Sequence, residues 1–166
     1  MPCIDTSSSM QGSPETIAKA VTLSIATRAV SQKRDCLLIN FSTSIETLDL
    51  SVKIGIAKAI EFLQRSFHGG TDAIPAFEYA LEMMSKEKYK QSDLLIISDF
   101  IMGSLSESLY EKISNAQKSK NRFYSLSIGN LFLSKKLQEV FDNQWVYNPS
   151  TPNIKSIQNV GREIIA

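Results

Sequence analysis

Leu94-Leu95-Ile96-Ile97-Ser98-Asp99 is the stretch on which the fold turns. A short, nearly continuous apolar run is the pattern of a strand covered on both faces, as in a parallel sheet with helices above and below. Cys36-Leu37-Leu38-Ile39-Asn40-Phe41 repeats it, and Phe123-Tyr124-Ser125-Leu126-Ser127-Ile128 and Trp145-Val146-Tyr147 are weaker versions. Ile45 to Leu50 alternates more openly, close behind Ser42-Thr43-Ser44, and reads as a hairpin partner at the sheet edge. Aromatic residues in an apolar run usually pack, so Trp145 and Tyr147 read as core.

Between these runs the period changes to that of helices. Ile56, Ile60, Leu63 and Phe67 fall on one face, then Ile74, Phe77, Leu81 and Met84 on another, then Leu105, Leu109, Ile113 and Ala116. Ser13-Pro14-Glu15 signals a helix start with proline in the first turn, and Ser104-Leu105-Ser106-Glu107 fits a capping box. The predicted order is strand, helix, two strands, two helices, then strand and helix in alternation to a last helix from about Asn153. That alternation predicts an α/β doubly wound fold: a mostly parallel central sheet with one antiparallel edge strand and helices on both faces. The 166 residues read as a single domain. The first strand begins only four residues before Asp5, short for a central strand, which reads as a fragment of a longer protein with that strand truncated.

Charge removes some partners. Eighteen Lys and Arg stand against 17 Asp and Glu, a net charge of +1, so there is no electrostatic case for nucleic acid. Lys86-Glu87-Lys88-Tyr89-Lys90 and Lys118-Ser119-Lys120 read as solvated helix ends. No apolar run approaches the ~20 residues that span a bilayer, and no leader pattern opens the chain, so the domain reads as soluble and cytoplasmic. Cys3 and Cys36 fall inside apolar runs. Parallel packing offsets them by roughly two residues, about 7 Å at strand rise, too far for easy bridging.

In a doubly wound sheet, functional groups gather at the carboxyl ends of the strands, where the strand order reverses. Asp5 ends the first apolar run and is followed by Thr6-Ser7-Ser8-Ser9; Asp99 ends the run beginning at Leu94. Two carboxylates brought together repel and need a shared proton or a cation. Ser7 and Ser9 alternate, so both hydroxyls can turn the same way, and Thr71 arrives from the Gly69-Gly70 loop. Carboxylate and hydroxyl oxygens are ligands for a hard ion, Mg²⁺ or Mn²⁺. His68 is the only histidine. With no nearby Cys it reads as a loop residue at the rim rather than a zinc ligand.

Asp5-Thr6-Ser7-Ser8-Ser9 resembles the D-x-S-x-S element of von Willebrand factor A (VWA) domains, with Thr71 and Asp99 matching the two later elements of that family's metal-ion-dependent adhesion site. The resemblance implies that Ser7, Ser9 and, in one state, Thr71 coordinate the metal directly, with Asp5 and Asp99 acting directly or through water, and that a partner carboxylate takes the remaining position. Ser8 stands where the family commonly has Gly, which matters if a left-handed backbone is required there. Phe67-His68-Gly69-Gly70-Thr71-Asp72 and Ile97-Ser98-Asp99-Phe100-Ile101 look like the VWA domain of ViaA-type proteins, which cooperate with MoxR-family AAA+ ATPases. The function implied is a metal-dependent protein-binding module, an adaptor for such an ATPase, and not an enzyme.

Plainer readings stand beside these. Asp5 and its serines alone would be an Asx turn and a helix cap. Thr71 would serve as N-cap of the helix carrying Phe77, and Asp72 as a first-turn residue favoured by the helix dipole. The enzyme alternative is a Mg²⁺-dependent phosphatase or phosphotransferase with Asp5 as nucleophile, but Ser7 stands where its second carboxylate belongs. A cell-surface adhesion domain would use the same metal site. For a protein-binding site, Met10, Ile101 and Met102 are expected to form an apolar rim around a partner's Asp or Glu, with Phe100 folded into the core.

Overall fold

The computed structural model describes residues 1–50, 55–129 and 133–165. The strands are β1 (Pro2–Asp5), β2 (Cys36–Phe41), β3 (Ile45–Leu50), β4 (Leu94–Ser98), β5 (Phe123–Ile128) and β6 (Asn143–Tyr147). The helices are α1 (Ser13–Ser31), α2 (Gly55–Leu63), α3 (Ile74–Met84), α4 (Glu107–Lys118), α5 (Lys135–Gln138) and α6 (Ile154–Ile165). They follow the predicted order.

The six strands lie in the order β3-β2-β1-β4-β5-β6. All neighbours are parallel except β2 and β3, the expected hairpin. The chain winds outward from β1 to β2 on one side and from β4 to β6 on the other, so the strand order reverses between β1 and β4. That pair therefore opens the crevice at the carboxyl end of the sheet.

Every residue of β1, β2, β4 and β5 is buried, the state anticipated for runs such as Leu94–Ile97. Side chains alternate between two cores. Cys3, Ile39, Ile96 and Phe123 face α3 and α4, where Phe77, Ala80, Leu109 and Ile113 meet them. Ile4, Leu38, Leu95, Ile97 and Leu126 face α1, α2 and α6, meeting Ala18, Val21, Ile25 and Phe62. Trp145 and Tyr147 join this second core as expected, with the Trp145 ring 5.6 Å from that of Tyr124.

Three local expectations are corrected. α2 ends at Leu63, so Phe67 lies in the following loop, and the buried residues are Ala59, Phe62 and Leu63 while Ile60 is 44% exposed. The helix rests on α1 and β3 by a face one position round from the stripe that periodicity suggested. α4 begins two residues beyond the capping-box reading: the hydroxyl of Ser106, not Ser104, accepts from the Leu109 amide, and Leu105 precedes the helix as a buried anchor. α3 has Ala73 at its N-cap, so neither Thr71 nor Asp72 takes the helical role expected of it. Asp72 instead accepts from the Ile74 amide through Oδ1 at 3.0 Å. Among the described residues no helix is long and apolar enough to cross a membrane.

The cysteine offset is three residues rather than two, because Cys3 pairs with Ile39, three positions beyond Cys36. At strand rise this is about 10 Å, and an odd offset also puts the two side chains on opposite faces, Cys3 toward α3 and Cys36 toward α1. Two thiols are therefore expected to titrate when the protein, purified without reductant, is denatured. Recovery of an intramolecular disulfide would contradict the register of β1 on β2.

Candidate metal centre

Asp5 is the last residue of β1 and has no exposed surface. The β1–β4 register, Ile4 opposite Ile97, sets it beside Ser98. Both its oxygens are engaged: Oδ1 accepts from the Ser7 amide at 2.8 Å and Oδ2 from the Ser98 hydroxyl at 2.5 Å. Burial pushes the Asp5 carboxyl above its ordinary range; the bonds from Ser98 and Ser7 oppose the shift, and the neighbouring Asp99 carboxylate adds to it. Asp99 follows β4, is itself buried, and accepts from the Ile101 amide through Oδ1 at 3.0 Å.

Beyond Asp5 the chain stays extended at Ser7 and then enters a tight turn at Ser8. Ser7 and Ser9 turn to one side, their hydroxyl oxygens 3.1 Å apart. Thr6 and Ser8 turn to the other and hold the loop that carries Thr71. The Thr6 carbonyl accepts from the His68 amide and the Ser8 amide donates to the Gly69 carbonyl, each at 2.9 Å, while the Ser8 hydroxyl donates to the His68 carbonyl. On its far side the same loop is pinned where the Asp72 amide donates to the Ser42 carbonyl at 2.7 Å. The approach is closest at Gly70, where a Cβ would lie 3.3 Å from Thr43 Cγ2; one on Gly69 would meet Ser42 Oγ at 3.4 Å, an ordinary contact. Thr71, half-buried, directly follows this anchored stretch of the loop.

Ser8 opens a short 3-10 turn, Ser8–Met10, and has no positive φ, so a glycine is not required there. That turn also removes Met10 from the expected rim. It swings the side chain back under the loop into the core against α1, with no exposure. Ile101, 52% exposed, and the partly buried Met102 remain beside Asp99, while Phe100 is buried as anticipated. His68 is on the rim side of the loop, partly exposed, with Nε2 3.1 Å from Glu15 Oε2. Among the described residues, no three His, Cys, Asp or Glu side chains gather as a metal cluster. The convergent group is two carboxylates with hydroxyls, a donor set suited to a hard cation.

The family model of the von Willebrand factor type A domain matches residues 1–102, which hold all five of these residues. The chain belongs to the von Willebrand factor type A family. It is 33% identical over 147 residues to the regulatory protein ViaA of Proteus mirabilis (strain HI4320), an alignment covering 88% of this chain and 30% of that protein. The chain thus spans under a third of that relative's length. Among solved structures, BatB of Bacteroides thetaiotaomicron superposes with a TM-score of 0.75 at 14% identity, covering 98% of this chain and 95% of that one. Proximal thread matrix protein 1 from the mussel byssus, in a structure with zinc in its MIDAS motif, superposes with a TM-score of 0.68 at 14% identity, over 99% of this chain and 46% of that one. At such identities the structural likeness establishes the VWA fold, with its six-stranded, mostly parallel sheet.

Ser98 escaped the sequence reading. Its Oγ donates to Asp5 and accepts from the Phe100 amide at 2.8 Å, joining β1 to the loop after β4. The signal available was its position, a hydroxyl at the end of an apolar strand directly before Asp99. Ser98→Ala leaves a buried carboxylate oxygen and a buried amide without their partner, a loss of about 1–3 kcal/mol. The expected outcome is a lower midpoint in urea unfolding of the metal-free protein with an unchanged slope; an unshifted midpoint would show that other groups satisfy Asp5.

Proposed function

We propose that this VWA domain is a metal-dependent protein-binding module, with Asp5, Ser7, Ser9, Thr71 and Asp99 holding Mg²⁺ or Mn²⁺. The observation that carries the reading is the buried pair of acidic residues at the switch point, Asp5 and Asp99, with the Ser7 and Ser9 hydroxyls turned together beside Asp5. Burial works against the charged form of Asp5, with Asp99 adding to the effect, and a divalent cation is the counter-charge that stabilises both carboxylates at once. All-oxygen donors favour Mg²⁺ or Mn²⁺ over zinc, which prefers nitrogen and sulfur, although the mussel protein's occupied motif supports a divalent ion at this place in the fold.

When bound, the ion supplies a Lewis-acidic position for an Asp or Glu side chain of a protein partner. The chain's own residues do the rest. Ser98 and the Ser7 amide fix the Asp5 carboxylate, the loop leading to Thr71 is bonded to Thr6 and Ser8, and Ile101 gives a partner an apolar surface next to Asp99. A contact that excludes water there strengthens the charge interaction, because Coulomb attraction grows as the local dielectric falls. The phosphotransfer alternative is disfavoured by the same geometry: both Asp5 oxygens are committed and the residue is inaccessible to an incoming phosphate. The similarity to a ViaA regulatory protein supports a regulatory role, and we infer as partner a MoxR-type AAA+ ATPase, for which the domain acts as a cytoplasmic adaptor.

Titration calorimetry with Mg²⁺ and Mn²⁺ tests the first half: wild type binds and Asp99→Ala does not, whereas binding retained in the variant would put the ion elsewhere. For the second half, co-purification with the ATPase is expected to be lost in EDTA and, separately, in Ile101→Asp, with the circular dichroism spectrum unchanged. Undiminished association in EDTA would move the interface to another face.

A further inference from the structure

One cluster around a buried carboxylate is not used by that reading. Glu15, in the first turn of α1, is 7% exposed, and three donors converge on it. Lys19 Nζ lies 2.5 Å from Oε1, the Ser66 hydroxyl donates to the same oxygen, and His68 Nε2 lies 3.1 Å from Oε2. Lys19 also donates to Ser66 Oγ at 2.6 Å, which closes the group. Desolvation alone would raise the Glu15 carboxyl, yet the bonds from Lys19, Ser66 and His68 outweigh it and hold the group below its ordinary range.

The position of this cluster in the chain gives it a role. Ser66 and His68 belong to the segment that ends in Gly69-Gly70-Thr71, and His68 is held at φ 50°, a conformation that costs a side-chain-bearing residue free energy. A glycine would adopt it without strain, but would lose the imidazole that reaches Glu15. The backbone of the segment is already stitched to Thr6 and Ser8, the even-numbered residues between the proposed ligands. Glu15 adds an anchor from a different element, α1, so the loop is held from two directions.

We propose that Glu15 and His68 are positioning residues for the metal centre, holding the Thr71 loop in register with the Ser7–Ser9 loop through the Glu15 Oε2–His68 Nε2 contact. The inference rests on the reading of the centre given above. Groups that orient ligands without touching the ion commonly change metal affinity by about 10–100-fold when removed. A tether has a second signature that does not need the ion: without it, the loop opens locally while the sheet stays closed.

The test compares wild type with Glu15→Ala, His68→Asn, the double variant, and Glu61→Ala as a control in the exposed Lys58–Glu61 pair. Asparagine tolerates positive φ, so His68→Asn removes the tether with least disturbance of the backbone. In metal-free protein, amide hydrogen exchange at His68 and Asp72 is expected to quicken about tenfold in both single variants and not in the control, with the Ile96 and Leu126 amides unchanged. If Glu15→Ala loosens the whole domain, Ile96 will exchange faster as well, and His68→Asn decides alone. Mn²⁺ affinity by calorimetry is expected to fall about tenfold in each single variant, and no further in the double than in Glu15→Ala, since removing Glu15 already removes the His68 contact. Unaltered exchange at His68 and Asp72 overturns the proposal, and so does a wild-type Mn²⁺ affinity in His68→Asn. A wild-type protein that binds no Mn²⁺ would instead sink the reading of the centre, leaving the tether to be judged by exchange.

Discussion

The Asp5 carboxylate is the constraint around which the rest is arranged. A carboxylate without solvent is costly unless its oxygens are bonded and its charge is balanced, and this one, with no exposed surface, closes a central strand. Its two bonds come from opposite directions in the chain: the Ser7 amide from the loop it begins, and the Ser98 hydroxyl from the neighbouring strand. The second bond exists only because β1 and β4 are adjacent and parallel in the observed register. Placing the acid there therefore requires the switch-point topology, and the topology in turn gives the two acids a common crevice.

From Asp5 onward, odd and even residues divide the labour, first by strand geometry and then by the 3-10 turn at Ser8. Side chains alternate at a period of two, and Ser7 continues it in extended backbone before the 3-10 turn from Ser8 brings the Ser9 hydroxyl to 3.1 Å from that of Ser7. Thr6 and Ser8 take the bonds that hold the adjoining loop, while Asp5, Ser7 and Ser9 belong to the proposed ligand set. Thr6 also donates from its hydroxyl to Asn40 Oδ1 at 2.7 Å, and Asn40 donates to the Arg65 carbonyl at 3.3 Å, so the start of the same loop is fixed to β2. Removing glycine from position 8 costs nothing in this arrangement, and the serine hydroxyl gains a partner in the His68 carbonyl.

Much of this was legible in the sequence because the signals are local. Continuous apolar runs announced β2 and β4, open alternation announced the edge strand β3, and Asp5, Ser7, Ser9, Thr71 and Asp99 could be proposed as a ligand set from their places at strand ends and in two loops. What escaped depended on distant partners. The Ser98–Asp5 bond is a matter of inter-strand register, which no local pattern encodes. α2 offers apolar residues around much of its circumference, so periodicity could not choose between the face of Ile60 and that of Phe62. Met10 looked like a rim residue because it follows the serines directly, but the turn that buries it is set by tertiary contacts. Glu15 entered the sequence pattern only as part of a helix start; its contact with His68 exists only once the loop is folded over α1.

Two residues other than glycine, His68 and Phe100, adopt positive φ on the loops that flank the acids. Left-handed backbone costs such residues roughly 1–2 kcal/mol, so each position must be held by something worth more. For Phe100 the support is visible: its amide donates to Ser98 Oγ, its carbonyl accepts from the Met102 amide at 2.9 Å, and its ring meets Phe141 edge-on at 5.9 Å in the core. Glycine would remove the strain and the ring together, and with the ring the anchor that keeps Asp99 and Ile101 at the mouth of the crevice. The Ser98 hydroxyl is shared between Asp5 and this turn, so the bond that satisfies the buried acid also fixes the backbone beside Asp99. One hydroxyl thus couples the geometry of both acids, and neither carboxylate can shift without disturbing the partner on which the other depends.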